Sequence, residues 1–146
     1  MKIGIIGATG MLGHHTAKAV LDAGHELAVI HRQGSNLDKI KDLTFESRIG
    51  DLNDSDSLVE ATKELDFLLN CGAYYPTLPL PLKSEMRTAQ AQMENFIEAG
   101  ERNSIKKLLY LGGSIALPKA ANGLGNEDLI FDKHLKTKRL MFKSNG

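Results

Sequence analysis

Two rhythms of apolar residues alternate along this chain. Ile3 to Ile6 is a short apolar run before a glycine cluster, the pattern of a strand buried on both faces. From Met11 to Ala23 the residues Leu12, Ala17, Val20 and Leu21 recur at helical spacing, and Ala23-Gly24 supplies a glycine stop. Leu27 to Ile30 predicts a second strand. Ser35 predicts the cap of a short helix reaching Leu43, and Thr44 to Ile49 a third strand ending at Gly50. Asp54 or Ser55 caps a helix through Leu58, Val59, Ala61 and Thr62. Phe67 to Cys71 predicts a fourth strand. Prolines at 76, 79 and 81 then exclude a regular element around Tyr74 and Tyr75. Lys83 to Arg102 is the longest helical stretch, with Met86, Ala89, Met93, Phe96 and Ile97 on one face. Lys106 to Leu111 holds a fifth strand, followed by Gly112-Gly113-Ser114. After Pro118 the pattern weakens, and a helical spacing over 126–143 is crowded by Lys133, Lys136, Lys138, Arg139 and Lys143.

Strands alternating with helices predict an α/β fold. The expected form is a doubly wound parallel sheet of Rossmann type, three layers deep, with right-handed crossovers. At 146 residues the chain has room for one such domain.

Composition narrows the function classes. Lys plus Arg equals Asp plus Glu at 18 each, so no bulk charge draws the protein to nucleic acid or an anionic membrane. Aromatics are 5%, too few for a base-stacking platform. A lone cysteine, Cys71, cannot form an internal disulfide, and the N-terminus reads neither as a signal peptide nor as a membrane span. A cytoplasmic location is therefore expected. His14 and His15 are adjacent on a helix, about 100° apart, and cannot share a metal; no metal site is predicted.

The informative segment is Gly7-Ala8-Thr9-Gly10-Met11-Leu12-Gly13, between the first strand and the first helix. Gly7 lets the chain turn off the strand, Gly10 lets backbone approach a pyrophosphate, and Gly13 lets the helix pack on the sheet. The helix N-terminus then offers bare N–H groups and a positive dipole end to the anion. Gly7, Thr9, Gly10, Met11, Leu12 and Gly13 are accordingly predicted to hold a dinucleotide. An acidic residue ending strand two would favour NAD. This chain has His31 and Arg32 there, and a guanidinium pairs bidentately with a 2′-phosphate. Arg32, with Ser35, points to NADP(H), leaving NAD open.

The spacing G-x-x-G-x-x-G resembles the glycine motif of the extended and atypical short-chain dehydrogenase/reductases, which include the NAD(P)-dependent epimerase/dehydratase and dihydroflavonol-reductase-like proteins. Other segments agree in order. Gly50-Asp51-Leu52-Asn53-Asp54 resembles a motif whose Asp and following residue contact adenine, implying that role for Asp51 and Leu52. Asn70-Cys71-Gly72-Ala73 resembles the segment beside the nicotinamide ribose, implying Gly72 and Ala73. Ile105 to Ser114 resembles the run that delivers the catalytic serine, implying Ser114.

The resemblance also implies a Tyr as general acid/base with a Lys four residues on, and hydride exchange with the nicotinamide. Tyr74, Tyr75 and Tyr110 all precede Ser114. By spacing the nearest match is His134 with Lys138 in the lysine register, a pair that also reads as solvated surface charge. The expected division is a nucleotide-binding domain over 1–118 and, over 119–146, a partial catalytic-helix region or irregular tail, with the family's C-terminal substrate domain absent. Two functions follow: an NADP-dependent oxidoreductase or epimerase acting on a small carbonyl, alcohol or nucleotide sugar, or a catalytically silent NADP(H)-binding module. Neither nucleic acid nor membrane is an expected partner, and the resemblance allows a homodimer.

Overall fold

The computed structural model describes residues 1–72 and 83–110, with the side chains of 83–86 excepted. The elements run β1 (Lys2–Ile6), α1 (Met11–Asp22), β2 (Glu26–His31), a 3-10 turn (Asp38–Ile40), β3 (Glu46–Ile49), α2 (Ser55–Ala61), β4 (Phe67–Asn70), α3 (Lys83–Arg102) and β5 (Lys107–Tyr110). The strands form one parallel sheet in the order β3-β2-β1-β4-β5.

That order explains the two apolar rhythms. β1 and β2 are interior strands with helices on both sides, so Ile3, Ile5, Leu27, Val29 and Ile30 are all buried. On one face α1 inserts Ala17 and Val20 against Ile3, Ile5 and Val29. On the other, α2 and α3 set Leu58, Met93 and Phe96 against Ile30 and Leu68. α3 closes tightly on β5, because a Cβ at Gly100 would lie 2.6 Å from the Leu108 side chain. Asn103 ties α3 to α2 by donating from Nδ2 to Val59 O at 2.7 Å and Thr62 Oγ1 at 2.8 Å. The edge strand β3 is mostly exposed and carries charge, with Lys2 Nζ and Arg48 Nε both on the Glu46 carboxylate at 3.1 and 2.8 Å. Charge on an edge discourages pairing with a further strand.

Asp54 caps α2, its side chain accepting from the Ser57 N–H at 3.2 Å. Gly24, at φ +75°, takes the left-handed conformation that ends α1. The helix expected from Ser35 to Leu43 is only the single 3-10 turn Asp38–Ile40. Ser35 does not cap it. The turn begins after Leu37, two residues beyond Ser35, and the Asp38 N–H donates to Asn36 Oδ1 at 2.7 Å. The third strand is shorter than the expected Thr44 to Ile49, because Thr44 and Phe45 lead into it without pairing.

Candidate functional site

In a parallel sheet, neighbours reached from opposite directions leave a crevice at their carboxyl ends. Here β1 pairs with β2 on one side and β4 on the other, so the crevice opens above Ile6. A cleft of about 410 Å³ lies there. Its walls carry Gly7, Ala8 and Thr9 from the loop after β1, His31, Arg32 and Ser35 after β2, and Gly50 to Asn53 after β3. Gly72 after β4 and Gln92 from α3 complete it.

The glycines of the first loop have different reasons to be glycine. Gly7 sits at φ +82°, and a Cβ on it would lie 2.6 Å from the Gly72 backbone. The loops after β1 and β4 therefore touch main chain to main chain. At Gly13 a Cβ would fall 2.0 Å from Gly7 O, so α1 can begin this close to the loop only without a side chain there. Gly10 is exposed, and its Cβ would come no nearer than 3.4 Å to any protein atom. No described residue demands glycine at position 10, since a Cβ there would make only ordinary contact.

Gly10 is also the N-cap of α1, with no side-chain cap and no acidic residue in the first turn. His14 N–H is the first to reach back, donating to Gly10 O at 2.9 Å. The N–H groups of Met11, Leu12 and Gly13 have no acceptor among the described residues, and Met11 and Leu12 are exposed. Three bare donors at the positive end of a helix suit an oxyanion.

At the far end of the cleft Arg32 is exposed, and its guanidinium makes no ion pair among the described residues. His31 holds the backbone beneath it. Its Nδ1 donates to Arg32 O at 3.0 Å, since a carbonyl only accepts, and its Nε2 meets the Ser47 hydroxyl at 2.7 Å. Ser35 borders both this cleft and a neighbouring hollow shared with Arg32, Asp51 and Asp54. Asp51 is held from several sides. Its N–H donates to Ser57 Oγ at 3.1 Å, and its Oδ1 accepts the Asn53 N–H at 2.9 Å and Asn53 Nδ2 at 3.0 Å.

The structure thus brings Gly7, Thr9, His31, Arg32, Ser35, Asp51, Leu52 and Gly72 to one cleft. Gly10, Met11, Leu12 and Gly13 continue from its Thr9 side into α1. Ala73, Ser114, His134 and Lys138 lie outside the described residues. Cys71, at the end of β4, is half-buried, and burial pushes its thiol above the usual range. It stays neutral at physiological pH and is a poor nucleophile. No cluster of metal-ligating side chains occurs among the described residues. No described helix is long and apolar enough to cross a membrane. Gln92 and Asn53 also line the cleft and were not anticipated as site residues. Asn53 stands in plain view beside Asp51, whereas nothing in the spacing of α3 marks Gln92.

Known proteins resemble this chain in sequence and fold. A nucleoside-diphosphate-sugar epimerase from Pseudomonas aeruginosa superimposes with a TM-score of 0.73 at 28% identity, covering 97% of this chain and 44% of that one. A bifunctional pinoresinol-lariciresinol reductase from Sinopodophyllum hexandrum is 42% identical over 76 residues, 47% of this chain and 24% of that protein. The isoflavone reductase homolog P3 of Arabidopsis thaliana is 35% identical over 77 residues, 47% of this chain and 25% of that protein. The match therefore spans about a quarter of the reductases and under half of the epimerase. The sequence model of the NAD dependent epimerase/dehydratase family matches residues 3–138. With that motif order, that sheet and that match, the chain belongs to the NAD dependent epimerase/dehydratase family.

Proposed function

We propose that this chain binds NADP(H) along the cleft and forms the nucleotide-binding part of an oxidoreductase or epimerase. The observation that carries this is the start of α1, where a glycine cap, no acid in the first turn and three N–H groups without an acceptor among the described residues come together. The pyrophosphate takes that seat. Arg32, with Ser35, takes the 2′-phosphate, and a doubly hydrogen-bonded guanidinium–phosphate pair is the strong form of such a contact. Asp51 and Leu52 take the adenine. Gly72 and Ala73 border the nicotinamide ribose, at the point where Gly7 and Gly72 already touch.

The bound cofactor supplies or accepts a hydride at its nicotinamide ring. The chain's own part is to orient that ring and to manage the substrate oxygen. Ser114, four residues beyond the last residue of β5, is assigned to hydrogen-bond that oxygen. Lys138 is assigned to hold positive charge near the proton-transfer step. The substrate class is a small carbonyl compound, an alcohol or a nucleotide sugar. Support comes from the reductase and epimerase names of the similar proteins.

Calorimetric titration with NADPH and NADH tests the binding. Saturable association at one site per chain, tighter for NADPH, is the expected result. Absence of saturable association with either would overturn the proposal. Following NADPH absorbance with a panel of carbonyl compounds, with Ser114→Ala as comparison, then tests the chemistry. Turnover that the substitution leaves unchanged removes Ser114 from it.

A further inference from the structure

The side chains that hold Asp51 have their orientations fixed in sequence, like falling dominoes. A carboxylate only accepts, so the side-chain atom of Asn53 facing Asp51 Oδ1 at 3.0 Å must be the donor Nδ2. The other end of that amide, Oδ1, is then an acceptor. It meets Gln92 at 2.9 Å, so the Gln92 atom turned toward it is Nε2. Gln92 Oε1 is therefore the atom left over, on a side chain that lines the cleft, with no hydrogen-bond partner among the described residues. Asp51 Oδ2 is likewise without one. From α3, Asn95 Nδ2 also donates to Leu52 O at 2.8 Å, pinning the same loop to the helix that carries Gln92.

The outcome is a cleft end that offers acceptors. From this we infer that Gln92 is a specificity-determining residue, selecting a purine with an exocyclic amine and disfavouring one with an oxo group at that position. An amine has two hydrogens to give, one for Asp51 Oδ2 and one for Gln92 Oε1. A 6-oxo purine brings a carbonyl to the same place, where it faces two acceptors and finds no donor. Gln92 acts twice, by its own oxygen and through Asn53, which keeps the Asp51 carboxylate in one orientation. The inference deepens the NADP(H) proposal and rests on it.

The test compares NADPH with its hypoxanthine analogue by calorimetry, using the full chain and Gln92→Leu. Wild type should prefer the adenine form by about tenfold or more, on the scale of one or two hydrogen bonds. Gln92→Leu should bring that ratio down toward unity, chiefly by weakening NADPH. Gln92→Met, unbranched like glutamine and as good a helix former, should do the same, and guards against a misfolded leucine variant. Thermal melting should leave both near wild type. A ratio unchanged in both variants, with NADPH still bound, would overturn the role of Gln92 and leave the NADP(H) proposal standing. Failure of wild type to bind either dinucleotide would overturn both.

Discussion

Gly13 and Gly10, three residues apart, should separate stability from binding when each is replaced by alanine. At position 13 the new Cβ would lie 2.0 Å from Gly7 O and 2.8 Å from Ala8 Cα. Both obstacles are main chain, so no side-chain rotation relieves them. To regain ordinary contact at 3.4 Å, α1 must move away by more than an ångström. Such overpacking costs about 1–3 kcal/mol, here at the upper end because backbone must move. Alanine's better helix propensity returns about 1 kcal/mol, leaving a net loss of about 2 kcal/mol. For a chain of this length that lowers Tm by roughly 4–8 °C. At position 10 the nearest atom is 3.4 Å away, and φ −76°, ψ 164° is extended backbone that alanine adopts freely. Gly10→Ala should shift Tm by less than about 2 °C. It should still weaken NADPH roughly tenfold or more, because the methyl occupies the phosphate's approach. Differential scanning fluorimetry and calorimetric titration of both variants provide the readouts. Gly13→Ala melting with wild type would refute the packing argument. Gly10→Ala binding NADPH like wild type would refute the location of the phosphate seat.

Arg32→Ala should cost NADPH about tenfold in affinity, the scale of hydrogen bonds to a charged group, and leave NADH nearly unchanged. Equal losses by calorimetry would remove Arg32 from 2′-phosphate recognition. Asp66 predicts a pH effect. The Lys106 ammonium hydrogen-bonded to it, joined by the Lys2 backbone N–H, holds its carboxyl below the usual aspartate range. Its folded pKa lies below its unfolded one, so the stabilisation is full above the ordinary range and is lost as pH falls through the folded value. Asp66→Asn should lower Tm at pH 7 and converge with wild type toward pH 2; parallel curves across that span would contradict the linkage. Cys71, its thiol raised by burial, should react with iodoacetamide at pH 7 more slowly than a free peptide thiol. Equal rates would show the thiolate is not suppressed.

What the sequence discloses about this fold depends on how local the cause is. The loop from Gly7 to Gly13 is legible because Gly13 answers to Gly7 and Ala8 a few residues away, and Gly7 to the backbone at the end of the adjoining strand. Asp54 is legible as a cap because the Ser57 N–H it satisfies is three residues away. The bounds of α3, Lys83–Arg102, follow from a long helical rhythm with Met93, Phe96 and Ala99 facing inward. Ser35 misled, because a serine ahead of a weak helical pattern looks like a cap. The turn starts only after Leu37, two residues further on, where Asn36 Oδ1 accepts the Asp38 N–H instead. Gln92 was invisible for a different reason. It reaches the cleft only because α3 packs on α2 and lays one of its turns beside Asn53, 39 positions earlier in the chain. Helical periodicity marks the buried face of α3 and says nothing about which polar residue at its margin meets a loop from β3.

Amide-resolved NMR during a titration with NADP⁺ reads the phosphate seat directly. The N–H signals of Met11, Leu12 and Gly13 should move most and saturate together at one ligand per chain, because those donors have no acceptor among the described residues. Signals that stay in place while NADP⁺ binds, or an absence of any saturable change, would contradict the claim that the start of α1 holds the cofactor.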